Sequence, residues 1–524
     1  MVSFYWCFTK INLIIKEMKK STFVLILSIF SFGCFSQSAV EFYNIGNDKL
    51  DLKDFKGALE EFTKAIELNP NKAEFFMNRG IAKSEIGEYR SAIEDFSVSI
   101  NLDTANILAY FNRGNTEHIL RNYTGSIEDF DKAIQIDTLF VPAYFNRAQA
   151  AAEIGNLRDA IEDYEKCIFI DPNFEKAYRN KGSLYIKLQK YDQAAEDFSH
   201  AIELVPNDPT AHYSRAIAFI ELNNIRAALI DLNKVIALDP KYIYAYLYRA
   251  RIKYKLNDKS SAIADYNQII NIDPTFEDAF IARADIKKEL KNYTEAIEDY
   301  TQVLLQDTSV LEIYLSRGDA YMGLGDDKSA NHDFLYVLKN DSTNSNAAYY
   351  LGVLKSKLND FKESISYMNK AISLDSTNFL AYLGRGNTYH TMRNFSATID
   401  DFTKVIELKP DFKEAYKLRA ITHSELGDYR AAILDNNKAI ELDPSDFDLY
   451  YNNANLKLII EKFAEALQDV DKLIEFNERN PLYFMKRADI KIKMNDKAGA
   501  CKDWHKAVVL NYQEAVQKVI DNCN

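Results

Sequence analysis

The clearest pattern of hydrophobic and polar residues lies in the stretch 141–174. Its first half places Tyr144 and Ala148 on one face of a helix at i and i+4, and its second half shows a similar amphipathic spacing. Gly155 interrupts the pattern between the two halves, and Pro172 ends it. The stretch therefore predicts two amphipathic helices joined by a tight turn, neither of which can bury its apolar face alone.

The same plan recurs with a fixed step of 34 residues, and fourteen such units run from Ala39 to Glu514 without an insertion. Within a unit, position 8 is small or Gly, position 20 is usually Ala, position 24 is usually aromatic, and positions 27 and 32 are often Ala and Pro. Small residues let two helices approach closely, and Pro stops the second helix before the next unit. A period of this length indicates stacked repeats instead of separate globular domains.

These positions resemble the tetratricopeptide repeat (TPR), and the fifth unit shows the match with Gly182, Ala194, Phe198, Ala201 and Pro206. Leu232, Asn436 and Val470 depart from the aromatic preference at position 24. The resemblance implies an all-α fold, a right-handed α-solenoid (superhelix) of about 14 tandem helix-turn-helix repeats over residues 39–514. It also implies a C-terminal capping helix in residues 515–524.

Charged residues follow the same register. A basic residue at position 7 and Asp at position 23 occur together in eleven repeats, for example Arg147 with Asp163. Repeat ten loses both at once, with Leu351 and Tyr367 in their places. Because a buried charge without a partner is costly, joint replacement favours an ion pair between the two helices of a repeat over two independent solvated charges.

The N-terminal region has the composition of an export signal. A Met-Lys-Lys sequence at residues 18–20 precedes Thr22–Phe32, an apolar segment too short to span a bilayer. We therefore interpret residues 18–36 as a signal peptide. Residues 1–17 do not fit such a signal, and we interpret them as an extension from a misassigned start codon.

Two processing sites fit this signal. Cleavage after Ser36 suits ordinary signal peptidase, whereas the residues up to Cys34 resemble a bacterial lipobox without its usual Leu, so we expect membrane contact only if Cys34 is lipidated. Either route leads to an oxidising compartment. There, Cys501 and Cys523 are placed to link the last helix to the one before it, and Cys167 occupies a core position suited to a buried thiol.

Charge and side-chain chemistry narrow the classes of function. The chain has 64 Lys and Arg against 77 Asp and Glu, whereas contact with a nucleic-acid backbone needs a basic face. The seven His residues lie at unrelated repeat positions without metal-ligand spacing, and the glycines serve packing and turns instead of a phosphate loop. We therefore expect a protein or peptide partner, and no enzymatic activity, cofactor, metal or nucleic acid.

In the family, positions 2, 5, 9, 12 and 13 of the first helix line a concave groove that receives an extended segment of a partner. Repeats seven and eight place aromatic and cationic residues at these positions in an otherwise acidic chain: Tyr244, Arg251, Tyr254, Lys255 and Lys288. Such residues dominate protein interfaces, so they form a candidate site for an acidic or aromatic segment. The alternative is that these tyrosines only pack, in a chain that contains 33 of them.

A weaker candidate rests on chaperone-binding members of the family, which hold a carboxylate with five Lys, Asn and Arg side chains. Asn115, Asn146 and Lys176 match three of the five, but Phe111 and Asn180 replace the other two, which are cationic. Because charge-assisted contacts carry carboxylate recognition, these losses count against such a clamp.

The sequence thus predicts a non-enzymatic scaffold that binds a partner segment in its concave groove, in the periplasm or at the outer envelope of a bacterium. Two alternatives are a lipid-anchored assembly factor for outer-membrane complexes and an accessory protein of polysaccharide machinery.

Overall fold

The computed structural model describes residues 38–523, in which every regular element is an α-helix. The predicted extension (1–17), the predicted signal peptide (18–36) and Cys34 lie outside these residues. We number the 29 helices of the described part α1 to α29 in chain order.

Fourteen odd-numbered helices are the first helices of the repeats: α1 (Ala39–Asp51), α3 (Ala73–Glu85), α5 (Ile107–Ile119), α7 (Val141–Glu153), α9 (Glu175–Lys187), α11 (Pro209–Glu221), α13 (Ile243–Lys255), α15 (Glu277–Glu289), α17 (Leu311–Leu324), α19 (Ser345–Lys357), α21 (Phe379–Thr391), α23 (Lys413–Glu425), α25 (Phe447–Ile459) and α27 (Pro481–Lys493). The even-numbered helices are the second helices: α2 (Phe55–Leu68), α4 (Tyr89–Leu102), α6 (Tyr123–Ile136), α8 (Leu157–Ile170), α10 (Tyr191–Leu204), α12 (Ile225–Leu238), α14 (Lys259–Ile272), α16 (Tyr293–Gln306), α18 (Asp327–Asn340), α20 (Phe361–Leu374), α22 (Phe395–Leu408), α24 (Tyr429–Leu442), α26 (Phe463–Phe476) and α28 (Lys497–Val509). One further helix, α29 (Gln513–Asn522), follows the last repeat.

The helices keep the register of the sequence. The first helix begins at position 1 and the second at position 17 in all fourteen repeats. The last helix begins at Gln513, slightly before the predicted start at Ala515. The fold is therefore all-α, an α-solenoid of tandem helix-turn-helix repeats, as the sequence predicts.

The chain divides into two compact units after Ile252, inside α13. The first unit contains α1 to α12 and most of α13, and the second contains the last residues of α13 and all later helices. Each unit is built from the same hairpins, so the local construction of a repeat applies to both.

A small residue opposite an aromatic ring closes most of the hairpins. Ala58 at position 20 and Phe62 at position 24 have no exposed surface in repeat one. In repeat nine, a Cβ atom added to Gly318 at position 8 would lie only 2.4 Å from Cε1 of Phe334 at position 24. Glycine at position 8 thus allows the ring at position 24 to touch the backbone of the first helix.

The turn inside each hairpin depends on one residue in a left-handed conformation. The φ angle at position 15 lies between +57° and +89° in all fourteen repeats, although only four of these residues are Gly. The residue that follows caps the second helix in many repeats; for example, Asp54 accepts a hydrogen bond from the backbone N–H of Gly57. The chain therefore reverses at the same point in every repeat.

The described residues contain one disulfide and one free thiol. Cys501 in α28 and Cys523 just after α29 form a disulfide, with their Cα atoms 5.6 Å apart, which fastens the last helix to its neighbour. Cys167 is a fully buried thiol, and burial raises the pKa of this thiol to about 12. Cys167 is therefore an uncharged packing residue.

Candidate partner-binding surface

The ion pair predicted between positions 7 and 23 is confirmed. In the ten repeats where both residues lie within one unit, charged atoms of the two side chains are 2.6 to 3.1 Å apart. The aspartates are buried, as in Asp163, which is 6% exposed. The pair therefore joins the two helices of a hairpin under the surface and is not a pair of solvated charges.

The arginine of this pair also reaches the preceding repeat. A second guanidinium nitrogen of Arg113 donates a hydrogen bond to Oγ of Ser97, at position 25 of that repeat, over 2.9 Å. Arg419 makes the equivalent bond to Thr403, also over 2.9 Å. The sequence did not reveal this link, because position 25 varies among Ser, Thr, Asn, Asp, Glu, Leu and His.

A lysine at position 11 is a further partner that the sequence reasoning missed. In repeat one, where position 7 is not cationic, Lys49 lies 2.9 Å from Glu61 at position 23. In repeat thirteen, Lys457 lies 2.7 Å from Asp469 in the same arrangement. The acid at position 23 thus keeps a cation when position 7 cannot supply one, and a search for Lys one helical turn after position 7 would have found it.

Repeat five holds the weakest of these pairs. Lys181 replaces Arg, and its Nζ lies 3.1 Å from Oδ1 of Asp197. The other carboxylate oxygen, Oδ2, is buried without a hydrogen-bond partner in the described structure. Burial raises the pKa of Asp197 to about 6, against the lowering effect of Lys181.

In the first unit, the sequence-predicted residues Tyr244 and Arg251 lie beside a cluster of tyrosines. Tyr244 is 55% exposed, and the guanidinium of Arg251 lies 5.8 Å from the ring centre of Tyr248. The ring of Tyr213 lies 5.9 Å from that of Tyr248 and 5.1 Å from that of Tyr242. We call Tyr213, Tyr242 and Tyr248 the tyrosine cluster. Only Tyr213 of the three is at a groove position of the family pattern, so the sequence did not single out this cluster.

In the second unit, acidic residues surround the predicted polar groups. The hydroxyl of Tyr254 donates a hydrogen bond to Glu289 over 2.5 Å, which lowers the pKa of that carboxyl group. Lys288 donates to Asp319 over 2.9 Å, and Lys255 is exposed. This part of the predicted surface is therefore less basic than the sequence suggests, because the charge of Lys288 is already neutralised.

The structure brings together only part of the weaker candidate site, which consists of Asn115, Asn146 and Lys176. Asn146 donates a hydrogen bond to Oδ1 of Asn115 over 2.7 Å, so these two amides bind each other. Asn78 donates to Asn47 over 2.6 Å in the same geometry two repeats earlier. Lys176 lies exposed in the first turn of α9. The asparagines thus have a structural role between successive first helices that the sequence pattern did not reveal.

Residues 38–523 lack two kinds of structural feature. No group of three or more His, Cys, Asp or Glu side chains in this range is arranged to hold a metal ion. No helix in the same range has the length and apolar character needed to cross a membrane.

Family comparisons match repeats along much of the chain. Models described as tetratricopeptide repeat or TPR repeat match residues 42–72, 107–138, 141–174, 182–223, 244–275, 277–308, 346–378, 380–412 and 414–446. Together these segments cover more than half of the chain. No curated protein matches the sequence significantly.

Several solved structures are similar in part. The crystal structure of MamA is 31% identical, with a TM-score of 0.30, over 30% of this chain and 94% of that chain. The C-terminal part of a TPR repeat-containing protein from Cytophaga hutchinsonii is 22% identical, with a TM-score of 0.42, over 45% of this chain and 97% of that chain. Yeast Tom70 is 15% identical, with a TM-score of 0.41, over 81% of this chain and 96% of that chain.

Proposed function

The chain belongs to the tetratricopeptide repeat family, and from that premise we propose that it is a non-enzymatic scaffold that binds a segment of a partner protein. One observation carries the choice of surface: Tyr244 is exposed and Arg251 stacks on the tyrosine cluster. Aromatic residues and arginine are the side chains that contribute most to binding at protein interfaces. A repeat array supplies such a surface without requiring any reactive group.

The chemistry of this surface favours an acidic or aromatic segment. A guanidinium that lies over a ring keeps its N–H edge directed outward, where it can donate two parallel hydrogen bonds to a carboxylate. The exposed ring of Tyr244 offers apolar area for an aromatic side chain at low cost in conformational entropy. In the second unit, exposed Lys255 is a separate candidate contact for an acidic group.

We place the protein outside the cytoplasm, in the periplasm or at the outer envelope of a bacterium. The composition of residues 18–36 supports this location, as does the disulfide between Cys501 and Cys523, because disulfides persist mainly in oxidising compartments. Intact mass of the purified protein tests the proposed cleavage, and labelling with a radioactive fatty acid tests the alternative in which Cys34 carries a lipid.

Partner binding is tested by photocrosslinking in cells from a benzoylphenylalanine at position 244. We expect crosslinked partners to be lost with Arg251→Glu and, in a separate variant, reduced with Lys255→Glu. Arg158→Glu on α8 is the matched control, because that side chain is 89% exposed and pairs only with Glu162 on its own helix. An unchanged set of crosslinked partners in Arg251→Glu would reject the proposed surface.

A further inference from the structure

A cavity of about 520 Å³ opens within the second unit among the first helices α15, α17 and α19 and the start of the second helix α16. Its apolar lining is formed by Tyr293, Met322 and Val353, with Gly323 between them. The volume falls in the range of pockets that enclose small ligands or single side chains. The proposed binding surface described above does not include any of these four residues.

The cavity exists because one contact differs from the same contact in the adjacent repeats. Position 13 of a first helix meets position 17 of the preceding repeat, where Glu289 pairs with Lys259 at 2.9 Å and Lys357 pairs with Asp327 at 2.7 Å. Between these two ion pairs, the equivalent residues are Gly323 and Tyr293.

The ring of Tyr293 therefore lies directly on the backbone of α17. A Cβ atom added to Gly323 would be 2.4 Å from Cε1 of Tyr293. Gly323 is the only glycine at position 13 among the fourteen repeats. The ring of Tyr293 takes the place that the longer side chain of position 13 fills in the adjacent repeats, and this ring forms one wall of the cavity.

The charges around the cavity are balanced. Lys288 lies 2.9 Å from Asp319, and each of the other two charged lining residues, Glu289 and Lys357, has its ion-pair partner within 2.9 Å. An ionised group that entered would lose water without gaining a free counter-charge, which is costly. An uncharged apolar group has no such cost.

Two features favour an aromatic group over an aliphatic one. The thioether of Met322 can make a favourable sulfur–aromatic contact with a ring. Tyr293 offers an aromatic partner for an offset or edge-to-face contact. Charged pairs at the rim can bind the polar backbone on either side of the inserted side chain.

We propose that this cavity receives one uncharged aromatic side chain from an extended segment of a partner protein. The inference rests on the proposed scaffold function and names the chemistry of one contact. The segment is extended because the lining residues come from three successive first helices, so a chain that crosses them contacts each helix in turn.

The test uses the methyl groups of the methionines as reporters by NMR of the full chain, with the signal of Met322 assigned from Met322→Leu. The probes are capped peptides, acetyl-Gly-Gly-Xaa-Gly-Gly-amide, in which Xaa is Phe, Trp, Leu, Glu or Lys. We expect the Met322 signal to shift with Phe and Trp at millimolar concentration, and at least tenfold weaker binding of the Glu and Lys peptides.

The blocking variant is Tyr293→Lys with Gly323→Glu, which replaces the aromatic wall of the cavity with the ion pair that Lys259 and Glu289 form at the same two positions one repeat earlier. The matched control is Phe361→Lys with Thr391→Glu, which makes the same change at the same two positions two repeats later. We expect the blocking variant to lose the response to Phe and Trp peptides and the control to keep it.

Three outcomes overturn the inference: no shift with the aromatic peptides, equal shifts with the Glu peptide, or a response to the aromatic peptides that survives in the blocking variant.

Photocrosslinking from position 244 separates failure of this inference from failure of the scaffold function. If the blocking variant still captures the same partners with undiminished yield, the scaffold function stands and the cavity is not part of the contact. If the wild-type protein captures no partner although the aromatic peptides bind, the proposed function fails and the aromatic preference of the cavity stands.

Discussion

Replacing Lys181 by Arg is expected to strengthen repeat five, because the lysine leaves half of a buried carboxylate without a partner. Ten other repeats place Arg at this position, and in nine of them the guanidinium donates to both oxygens of the aspartate. In repeat five, Lys181 approaches only Oδ1 of Asp197, and Oδ2 is buried without a hydrogen bond. The planar fork of Arg has a second donor for that oxygen.

The expected gain follows from the cost of a buried polar atom that lacks its bond, which is about 1–3 kcal/mol. The pH dependence gives an independent signature. The folded pKa of Asp197 is about 6, above its ordinary value of 3.8, because burial disfavours the charged form. Between roughly pH 4 and pH 6 the folded state therefore binds more protons than the unfolded state, and local stability falls as the pH rises through this window.

Hydrogen exchange measured by mass spectrometry suits this test, since repeat arrays open locally and need not unfold in one step. At pH 7, peptides from α9 and α10 of Lys181→Arg should exchange more slowly than in the wild type by the factor that corresponds to about 1–3 kcal/mol. In the wild type, protection of these peptides should decline between pH 4 and pH 6 after correction for intrinsic exchange rates, and the variant should lose much of this decline. Arg113→Lys in repeat three is the matched control and should show the opposite change.

The reasoning is refuted if Lys181→Arg leaves the protection of α10 unchanged at pH 7. It is also refuted if wild-type protection in this repeat rises from pH 4 to pH 6, because that would require a folded pKa of Asp197 below the unfolded value.

Three further predictions concern the backbone, the core and the C-terminus. Gly155→Ala should destabilise its hairpin by about 1 kcal/mol, because φ is +84° there and the added Cβ meets no atom within 4 Å; unchanged hydrogen exchange in α7 and α8 would contradict this. Leu351→Arg alone should lower the free energy of unfolding by about 3–5 kcal/mol, because it buries an unpaired charge, and adding Tyr367→Asp should restore part of that stability. Additive effects of the two substitutions in a double-mutant cycle, measured by urea unfolding, would argue against pairing. Replacing both Cys501 and Cys523 by Ser should loosen α29 by about 3 kcal/mol, as expected for a closed loop of this size, with faster exchange in α29 than elsewhere; equal exchange in the reduced and oxidised wild type would count against it.

The helix register was predictable because every repeat carries its own copy of the same steric requirements. A wrong phase would place the glycine of position 8 away from the ring of position 24, and fourteen consistent copies leave little freedom. The ion pair between positions 7 and 23 was predictable for a related reason. Leu351 and Tyr367 replace both partners together, which is the pattern expected of residues that depend on each other.

The parts that the sequence did not reveal involve contacts between repeats at variable positions. Lys288 binds Asp319, which lies 31 residues away in the next repeat. The residue that neutralises the charge of Lys288 therefore belongs to a different repeat, and the pattern within one repeat does not predict the contact. The glycines were interpreted as packing and turn residues, which fits positions 8 and 15 and fails for Gly323. Gly323 matters at position 13 because it has no side chain, which lets the ring of Tyr293 from the preceding repeat lie against its backbone. The cavity depends on this contact between two repeats, and the sequence of one repeat does not predict it.

The arginine bonds to position 25 of the preceding repeat have a consequence for how the array comes apart. Such bonds couple the stability of each repeat to that of its nearest neighbour, so opening one repeat weakens the next. Leu351 interrupts this series in repeat ten, because its side chain has no donor, and in the described structure Arg79 in repeat two and Lys181 in repeat five make no bond of this kind either. Under mechanical tension or denaturant, we expect the array to separate first at the junctions that lack this bond, so that the blocks of repeats between them lose structure in distinct steps.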